Sequence, residues 1–133
     1  GEVISVYSVG PAEFEPHHPD FYWYGIHAVE AMYTVLGTGC QQVARTHTPG
    51  TDVITGVWAD GRIGTVRTIR KGASGFGFNA WGAKASRSTV VRADVIYREL
   101  LKRMVEFFKD KKSPVDPSET VEVSSRKGSL WSR

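Results

Sequence analysis

The sequence predicts an α+β domain, with an open, mainly antiparallel β-sheet and helices packed on one face. Three observations support this class: an apolar-periodic segment near the start (21–36), several short β-branched segments in the middle (40–91), and a long amphipathic segment afterwards (94–109). The order of strand, helix, several antiparallel strands and helix is typical of a sheet with helices on one face.

The first strand and the first helix are predicted from β-branched content and from helical spacing. Residues 2–9 are strand-like, and the Gly10-Pro11 pair is expected to end that strand. Asp20 is placed to cap a helix that begins near Phe21, because its carboxylate can accept hydrogen bonds from free backbone N–H groups. Gly37 supplies the end of this helix.

The middle of the chain predicts a meander of antiparallel strands. Residues 53–58 and 62–69 flank Asp60-Gly61, a strong hairpin signal. A second pair is expected from residues 75–81 and 85–91. Because side chains alternate along a strand, residues 62–69 divide into two faces, and neither face is strongly apolar.

The late helix has the clearest apolar stripe in the chain, over residues 94–109. Asp94 is the expected N-cap, and Lys109 suits the negative end of the helix dipole. Pro114 and Pro117 follow and cannot continue a helix.

Composition narrows the class of protein. The chain has 133 residues, 41% of them hydrophobic and 23% charged, as expected for one globular domain. No apolar run approaches the ~20 residues of a membrane helix, and no signal-peptide pattern is visible, so a cytoplasmic location without membrane contact is expected. The net charge of +3 is concentrated in the basic residues of 124–133, and the body lacks a clustered basic and aromatic groove, so no nucleic-acid partner is predicted. Cys40, the single cysteine, is interpreted as structural.

Several segments carry a resemblance to a known family: Tyr24-Gly25-Ile26-His27 at a helix start, residues 50–53 and 58–64, and the late helix over residues 100–108 followed by residues 113–120. Together they resemble the C-terminal half of the Gfo/Idh/MocA oxidoreductases. That family joins an NAD(P)-binding Rossmann domain to an α+β domain that contributes substrate contacts and often the dimer interface. The resemblance therefore implies a homodimer formed through the open sheet face, and a sugar or polyol ligand.

In the family, a Gly-x-His pattern places an imidazole beside the substrate hydroxyl, and the match makes His27 the acid/base candidate. A group that titrates near neutrality suits this task, because alcohol oxidation needs an acceptor for the hydroxyl proton. Many members have an aspartate where this chain has Trp23, and another where it has Glu30. The alternative interpretation of His27 is a partly buried imidazole that is hydrogen-bonded at a helix start. The further residues predicted to contact substrate are Tyr24, Trp23, Glu30, His17 and His18.

The sequence has no Gly-x-Gly-x-x-Gly pattern between a strand and a helix, and the glycines of residues 72–77 are interpreted as turn residues. The Glu-Lys-Pro motif of the family is also missing. We therefore expect no cofactor to bind to this chain alone, although the resemblance implies NAD(P) for the full-length family. The expected organisation is a domain over residues 1–122 and a polar, disordered or frameshifted tail over residues 123–133, as in a truncated domain.

Two other classes of function stay open. The first is a small ester or lactone hydrolase, in which His17, His18 and Asp20, near His27, could hold a metal that activates water. The second is a non-catalytic dimer module that binds a ligand without turnover. Whether the chain is an enzyme is therefore left undecided by the sequence, and hydride transfer by this chain alone is not expected.

Overall fold

The computed structural model describes residues 1–18 and 20–125, with the backbone alone described at Asp20 and Ala93. It contains one six-stranded sheet with the strand order β2-β3-β4-β1-β5-β6. The elements, in chain order, are β1 (Val3–Pro11), a 3-10 turn (Asp20–Tyr22), α1 (Gly25–Leu36), β2 (Cys40–Thr48), β3 (Thr51–Trp58), β4 (Ile63–Ile69), β5 (Gly77–Gly82), β6 (Ser86–Val90), α2 (Ala93–Asp110) and α3 (Pro117–Ser124).

The sheet is mainly antiparallel, and the one parallel pair in the described part lies at its centre. Strand β1 runs parallel to β4 and antiparallel to β5, so that Ser8 lies beside Val66 on one side and Phe78 on the other. The predicted hairpins, β3 with β4 and β5 with β6, both form. The predicted α+β class with an open, mainly antiparallel sheet is confirmed.

The core lies between α1 and one face of the sheet. Val6 of β1 and Val66 of β4 are almost completely buried there, beneath Met32 and Leu36 of α1. Gly64 lies directly under the helix, where an added Cβ would come 2.8 Å from Cδ1 of Leu36 and closer still to Met32. Strand β4 therefore has a clearly buried face, although the sequence showed no strongly apolar one, because glycine and threonine occupy part of it.

The start of α1 differs from the prediction. The helix begins at Gly25, and its N-cap is Tyr24, which makes no capping hydrogen bond through its side chain. Asp20 instead opens a separate 3-10 turn, so its predicted role as the N-cap of this helix is wrong. The reason is Phe21, which is buried to 3% exposure and anchors the turn as a unit before the helix.

Strand β1 also extends beyond its predicted end. Gly10 and Pro11 remain paired with Thr68 and Ile69 of β4. The pairing of β1 with β5 stops at Val9, so the missing N–H of Pro11 lies where only one neighbouring strand is present.

Helix α2 has its predicted extent but not the predicted packing. Its N-cap is Arg92, while Asp94 lies in the first turn and binds the Arg92 guanidinium at 2.7 Å, so the predicted cap at Asp94 is wrong. Every described side chain of α2 is exposed except that of Val95, which is half-buried. Among the described helices, none is long and apolar enough to cross a membrane.

Helix α3 was not predicted, because it is short and largely polar. The Asp116 carboxylate caps it by accepting a hydrogen bond of 2.8 Å from the Ser118 backbone N–H. Hydrogen bonding from Ser118, through its side chain first and its backbone N–H second, lowers the Asp116 pKa. Val123 is buried in the core, so α3 covers the end of α1. The predicted tail over residues 123–133 thus overlaps the helix at Val123 and Ser124, and its part from 126 onward lies outside the described residues.

Candidate functional site

A cleft of about 580 Å³ opens between the start of α1, strand β5 and the first turns of α2. His27 lies in it, within the first turn of α1. The wall is formed mainly by aromatic and aliphatic groups with a few polar ones, which is the usual composition of a small-molecule site. The side chains that line the cleft include Tyr24, His27, Glu30, Phe76, Ile96 and Tyr97.

His27 and Glu30 form a pair inside this cleft. The imidazole Nδ1 lies 3.1 Å from a Glu30 carboxylate oxygen, one helical turn further on, and both side chains are about half exposed. A carboxylate at Nδ1 favours the tautomer that carries its proton there, which leaves Nε2 free to accept a proton. The structure thus places the Glu30 carboxylate beside the Nδ1 atom of His27.

Aromatic rings surround the imidazole on two sides. The rings of Tyr24 and Phe76 meet it edge-on, at centroid distances of 6.0 and 6.2 Å. Trp23 lies behind Tyr24, and His18 stacks on Trp23 at 5.2 Å. The structure thus brings Tyr24, His27 and Glu30 together in the cleft, whereas Trp23 and His18 are outside its wall, and so is the exposed His17.

The proposed metal set stays a prediction. Across the side chains that the structure describes, no group of three or more histidine, cysteine, aspartate or glutamate residues could hold a metal ion. The set His17, His18 and Asp20 includes one side chain outside that description.

Sequence reasoning missed a buried charged cluster beside the first helix. Asp52 of β3 is completely buried and pairs with Arg45 of β2 at 3.1 Å and with Arg70 just after β4. The Thr68 hydroxyl donates to the same carboxylate at 3.2 Å, and His47 Nδ1 lies 2.5 Å from it. His47 and Arg45 are 5 and 7 residues from Asp52, across the turn between β2 and β3, whereas Thr68 and Arg70 are 16 and 18 residues from it. The pairing of β2 with β3 and of β3 with β4 brings them together.

A second cavity, of about 560 Å³, lies between α1, the start of β2 and α3. Its carboxylate, Glu122, accepts hydrogen bonds from the backbone N–H groups of Gly39 and Cys40 at 3.0 and 2.9 Å, and from the Tyr33 hydroxyl at 3.2 Å. Burial is the main cause that raises the pKa of Tyr33 and that of the Cys40 thiol. A thiol that stays protonated is a poor nucleophile. The hydrogen bonds that Glu122 accepts attach α3 to α1 and to the start of β2.

The described residues do not fit a dinucleotide cofactor. Gly72 and Gly75 lie in the connection from β4 to β5, and Gly77 is the first residue of β5, so these glycines lead into another strand. A dinucleotide phosphate site needs a glycine-rich turn that ends at a helix N-terminus, where free N–H groups and the helix dipole face the phosphates. The interpretation of these glycines as turn residues stays a prediction.

The fold of this domain occurs in solved protein structures. The described α+β domain has the fold of about half of several solved oxidoreductase structures. No family model matches the sequence, and no curated protein matches it.

Two of these structures have TM-scores above 0.6. One is a chain classed as an NADPH-dependent oxidoreductase from Desulfitobacterium hafniense, with a TM-score of 0.66 and 14% identity, over 92% of this chain and 52% of that one. The other is the UDP-N-acetylglucosamine 3-dehydrogenase GnnA from Acidithiobacillus ferrooxidans, with a TM-score of 0.67 and 10% identity, over 92% and 50%.

A chain classed as an oxidoreductase from Thermotoga maritima matches at a TM-score of 0.54 and 17% identity, over 92% and 50%. This protein thus spans about half the length of the solved chains that it matches. At the level of the fold, the resemblance to the C-terminal domain of the Gfo/Idh/MocA enzymes is confirmed.

Proposed function

We propose that this domain is the substrate-binding and dimerisation half of a sugar- or polyol-type, NAD(P)-dependent oxidoreductase. The observation that carries the proposal is the His27 and Glu30 pair in a cleft with aromatic walls. Aromatic faces pack well against the C–H faces of a sugar ring, while a half-exposed imidazole and carboxylate can bind its hydroxyl groups.

Within such an enzyme, His27 accepts the proton of the substrate hydroxyl. The Glu30 carboxylate at Nδ1 holds the imidazole in the required tautomer and stabilises the cation that forms. Tyr24, at the helix start, packs beside the imidazole and restricts the space for the bound ring. This domain would contribute binding, orientation and proton transfer, while hydride acceptance requires a cofactor-binding half in addition.

The exposed side of α2 supports the assignment to one half of a larger enzyme. Tyr97, Leu101 and Phe108 are 72%, 59% and 71% exposed on this helix, and the first of them also lines the His27 cleft. A large exposed apolar patch marks an interaction surface in most soluble proteins. A cofactor-binding half that packed on α2 would therefore lie beside the cleft.

The test is a titration of the purified domain with a panel of inositols, hexoses and sugar lactones, and with NAD and NADP. We expect a polyol or sugar to bind weakly and the dinucleotides not to bind. His27→Gln should remove most of the affinity, because the residue binds the ligand hydroxyl directly. Thr34→Ala, an exposed change further along α1, is the matched control and should leave binding unchanged.

Three results would count against the proposal. Dinucleotide binding would mean that this domain holds a cofactor site. Equal affinity in His27→Gln and in the original protein would remove His27 from the site. Hydrolysis of a lactone or an ester by the domain alone would favour the hydrolase alternative.

The dimerisation part of the proposal rests on the sheet face opposite α1, which we call the open face. It carries Val53, Ile63 and Trp81, which are 37%, 45% and 45% exposed, together with the half-buried Tyr7. These residues share one face, because Ser5, which points the same way, pairs with both Ile63 and Trp81. Two copies could bury this surface against each other.

Sedimentation equilibrium tests the dimer. We expect Ile63→Lys to convert dimers into monomers, because it places a charge in the middle of the open face. Leu101→Lys is the matched control on α2, where the leucine is similarly exposed, and should leave the dimer intact. Dissociation by Leu101→Lys alone would place the interface on α2 and overturn the open-face dimer.

A further inference from the structure

The buried cluster around Asp52 lies against the segment that leads into the His27 helix. Arg45 and Arg70, which both pair with Asp52, are only 8% and 5% exposed in their side chains. Two guanidinium groups share one buried carboxylate and are held in fixed positions by it. The guanidinium groups of Arg45 and Arg70 thus form a rigid platform, which can fix the positions of side chains that pack on it.

Two phenylalanine rings pack on this platform. The Arg45 guanidinium carbon lies 4.5 Å from the centre of the Phe21 ring, and that of Arg70 lies 4.2 Å from the centre of the Phe14 ring. Both distances are within the range of cation–π attraction, which is stronger at buried sites than in water. Phe21 is 3% exposed, so its ring is fixed between the cluster and the first helix.

Phe21 in turn fixes the start of α1. Its ring fills the space beside Gly25, the first residue of the helix, where an added Cβ would overlap the ring edge and would come 3.3 Å from Ala12. Tyr24 precedes this glycine, and His27 follows it two positions later. A chain of contacts therefore runs from Asp52 through Arg45 and Phe21 to Gly25, which lies between the cleft residues Tyr24 and His27.

We propose that Arg45 and Asp52 are positioning residues for the His27 cleft, which act through the Phe21 ring on the first turn of α1. This inference rests on the proposed function for its effect on ligand affinity, but its effect on the geometry of His27 can be measured without a ligand. It also accounts for glycine at position 25, because any larger residue would displace Phe21 or the helix start.

The test compares His27 in three variants by nuclear magnetic resonance of the imidazole groups, with His27→Gln used to assign its signals. Arg45→Met removes the nearer of the two guanidinium groups over Phe21, and Arg70 remains at 5.6 Å from the centre of the ring. Gly25→Ala places a methyl group against the ring without touching the charged cluster. Phe21→Leu, combined with Gly25→Ala, makes room for that methyl group but removes the ring that packs on Arg45.

We expect Arg45→Met and Gly25→Ala each to shift the His27 signals and to weaken ligand binding by about tenfold. The double variant relieves the overlap with the methyl group but also loses the ring over Arg45, so its His27 signals should lie near those of Arg45→Met. The matched controls are Arg87→Met, an exposed arginine on β6, and Gly50→Ala, where an added Cβ makes only an ordinary contact. Both controls should leave His27 unchanged.

Loss of a buried ion-pair partner can unfold a domain, so circular dichroism is recorded for each variant, and Gly25→Ala carries the test if Arg45→Met does not fold. Unchanged His27 signals in the folded variants would overturn the positioning role. Shifted signals, in a protein whose ligand affinity does not depend on His27 at all, would uphold the positioning role and overturn the proposed function. The two failures are thereby distinguished.

Discussion

The centre of the sheet and the α2 region differ sharply in how much of their surface they bury. Strands β1, β3 and β4 bury one face beneath α1, and Val66 at their centre is 0% exposed. In α2 and β6, by contrast, no described side chain is buried, although α2 carries many apolar residues. The central region is therefore stabilised by its own packing, whereas α2 has apolar surface that no described element covers.

The His27 cleft lies on the border between these two regions. One wall is α1, which is fixed by the core, and another is the exposed first turns of α2. The residues expected to act on substrate come from the rigid side, and those of α2 complete the enclosure. Substitutions in the buried central region should therefore affect stability far more than substitutions in α2.

The largest effect is expected from Asp52→Asn in the buried cluster. This variant leaves Arg45 and Arg70 buried without the carboxylate that they share, and loss of one partner of a buried ion pair costs about 3–5 kcal/mol. Chemical denaturation measures this loss. Asp60→Asn, at an exposed pair with Arg62, is the control, and an equal loss in both variants would mean that the buried cluster has no special role.

The next largest loss of stability is expected at a buried leucine, for which an exposed leucine serves as the comparison. Leu36 in α1 is 2% exposed, and Leu36→Ala should lower the free energy of unfolding by about 2–5 kcal/mol, because it removes buried methyl groups and leaves a cavity. Leu101 in α2 is 59% exposed, and Leu101→Ala should change it by less than about 0.5 kcal/mol. A large loss in the second variant would show that another part of the chain, or a second copy, covers α2.

A smaller, pH-dependent effect is expected at Tyr33. Burial, with Cys40 and Glu122 nearby, raises its pKa above the usual value of about 10. The unfolded state then loses this proton at a lower pH than the folded state, so the stability from Tyr33 is complete below about pH 10 and is lost as the pH rises above that value. Unfolding measured between pH 8 and 11 should show this slope in the original protein and a weaker slope in Tyr33→Phe.

The smallest effect on stability is expected from Phe108→Lys at the end of α2. The ring is 71% exposed, and a cation suits the negative end of the helix dipole, so the melting temperature should hardly change. Binding of an apolar fluorescent dye should fall, because one of the most exposed rings is removed. Unchanged dye binding would mean that the accessible apolar surface lies elsewhere, and Lys112→Gln is the control.

The features that the sequence predicted are local ones. The Asp60-Gly61 turn specifies its hairpin by itself, because glycine adopts the positive φ of +87° that the turn requires. The apolar spacing of α1 and α2 likewise predicted two helices. His27 and Glu30 lie one turn apart on the same helix, so helical spacing was enough to place them together.

The features that the sequence did not predict depend on contacts between distant segments. Nothing near Arg45 or Arg70 in the sequence indicates that both reach Asp52, and nothing near His27 indicates Phe76 or Tyr97 as neighbours. The amphipathic pattern of α2 predicted a buried stripe. Such a pattern does not identify the surface that would cover the stripe. Helix α3 was missed because its stability comes from the Asp116 cap and from one buried valine rather than from a stripe.

The central position of β1 also has a consequence for the order of folding. During synthesis this strand leaves the ribosome before either of its neighbours, and both of its edges stay unpaired until β4 and β5 have been made. Pairings between distant segments form slowly, and an unpaired strand is a template for association with other chains. The strand at the centre of the finished sheet is therefore the part of the nascent chain that most needs protection from aggregation.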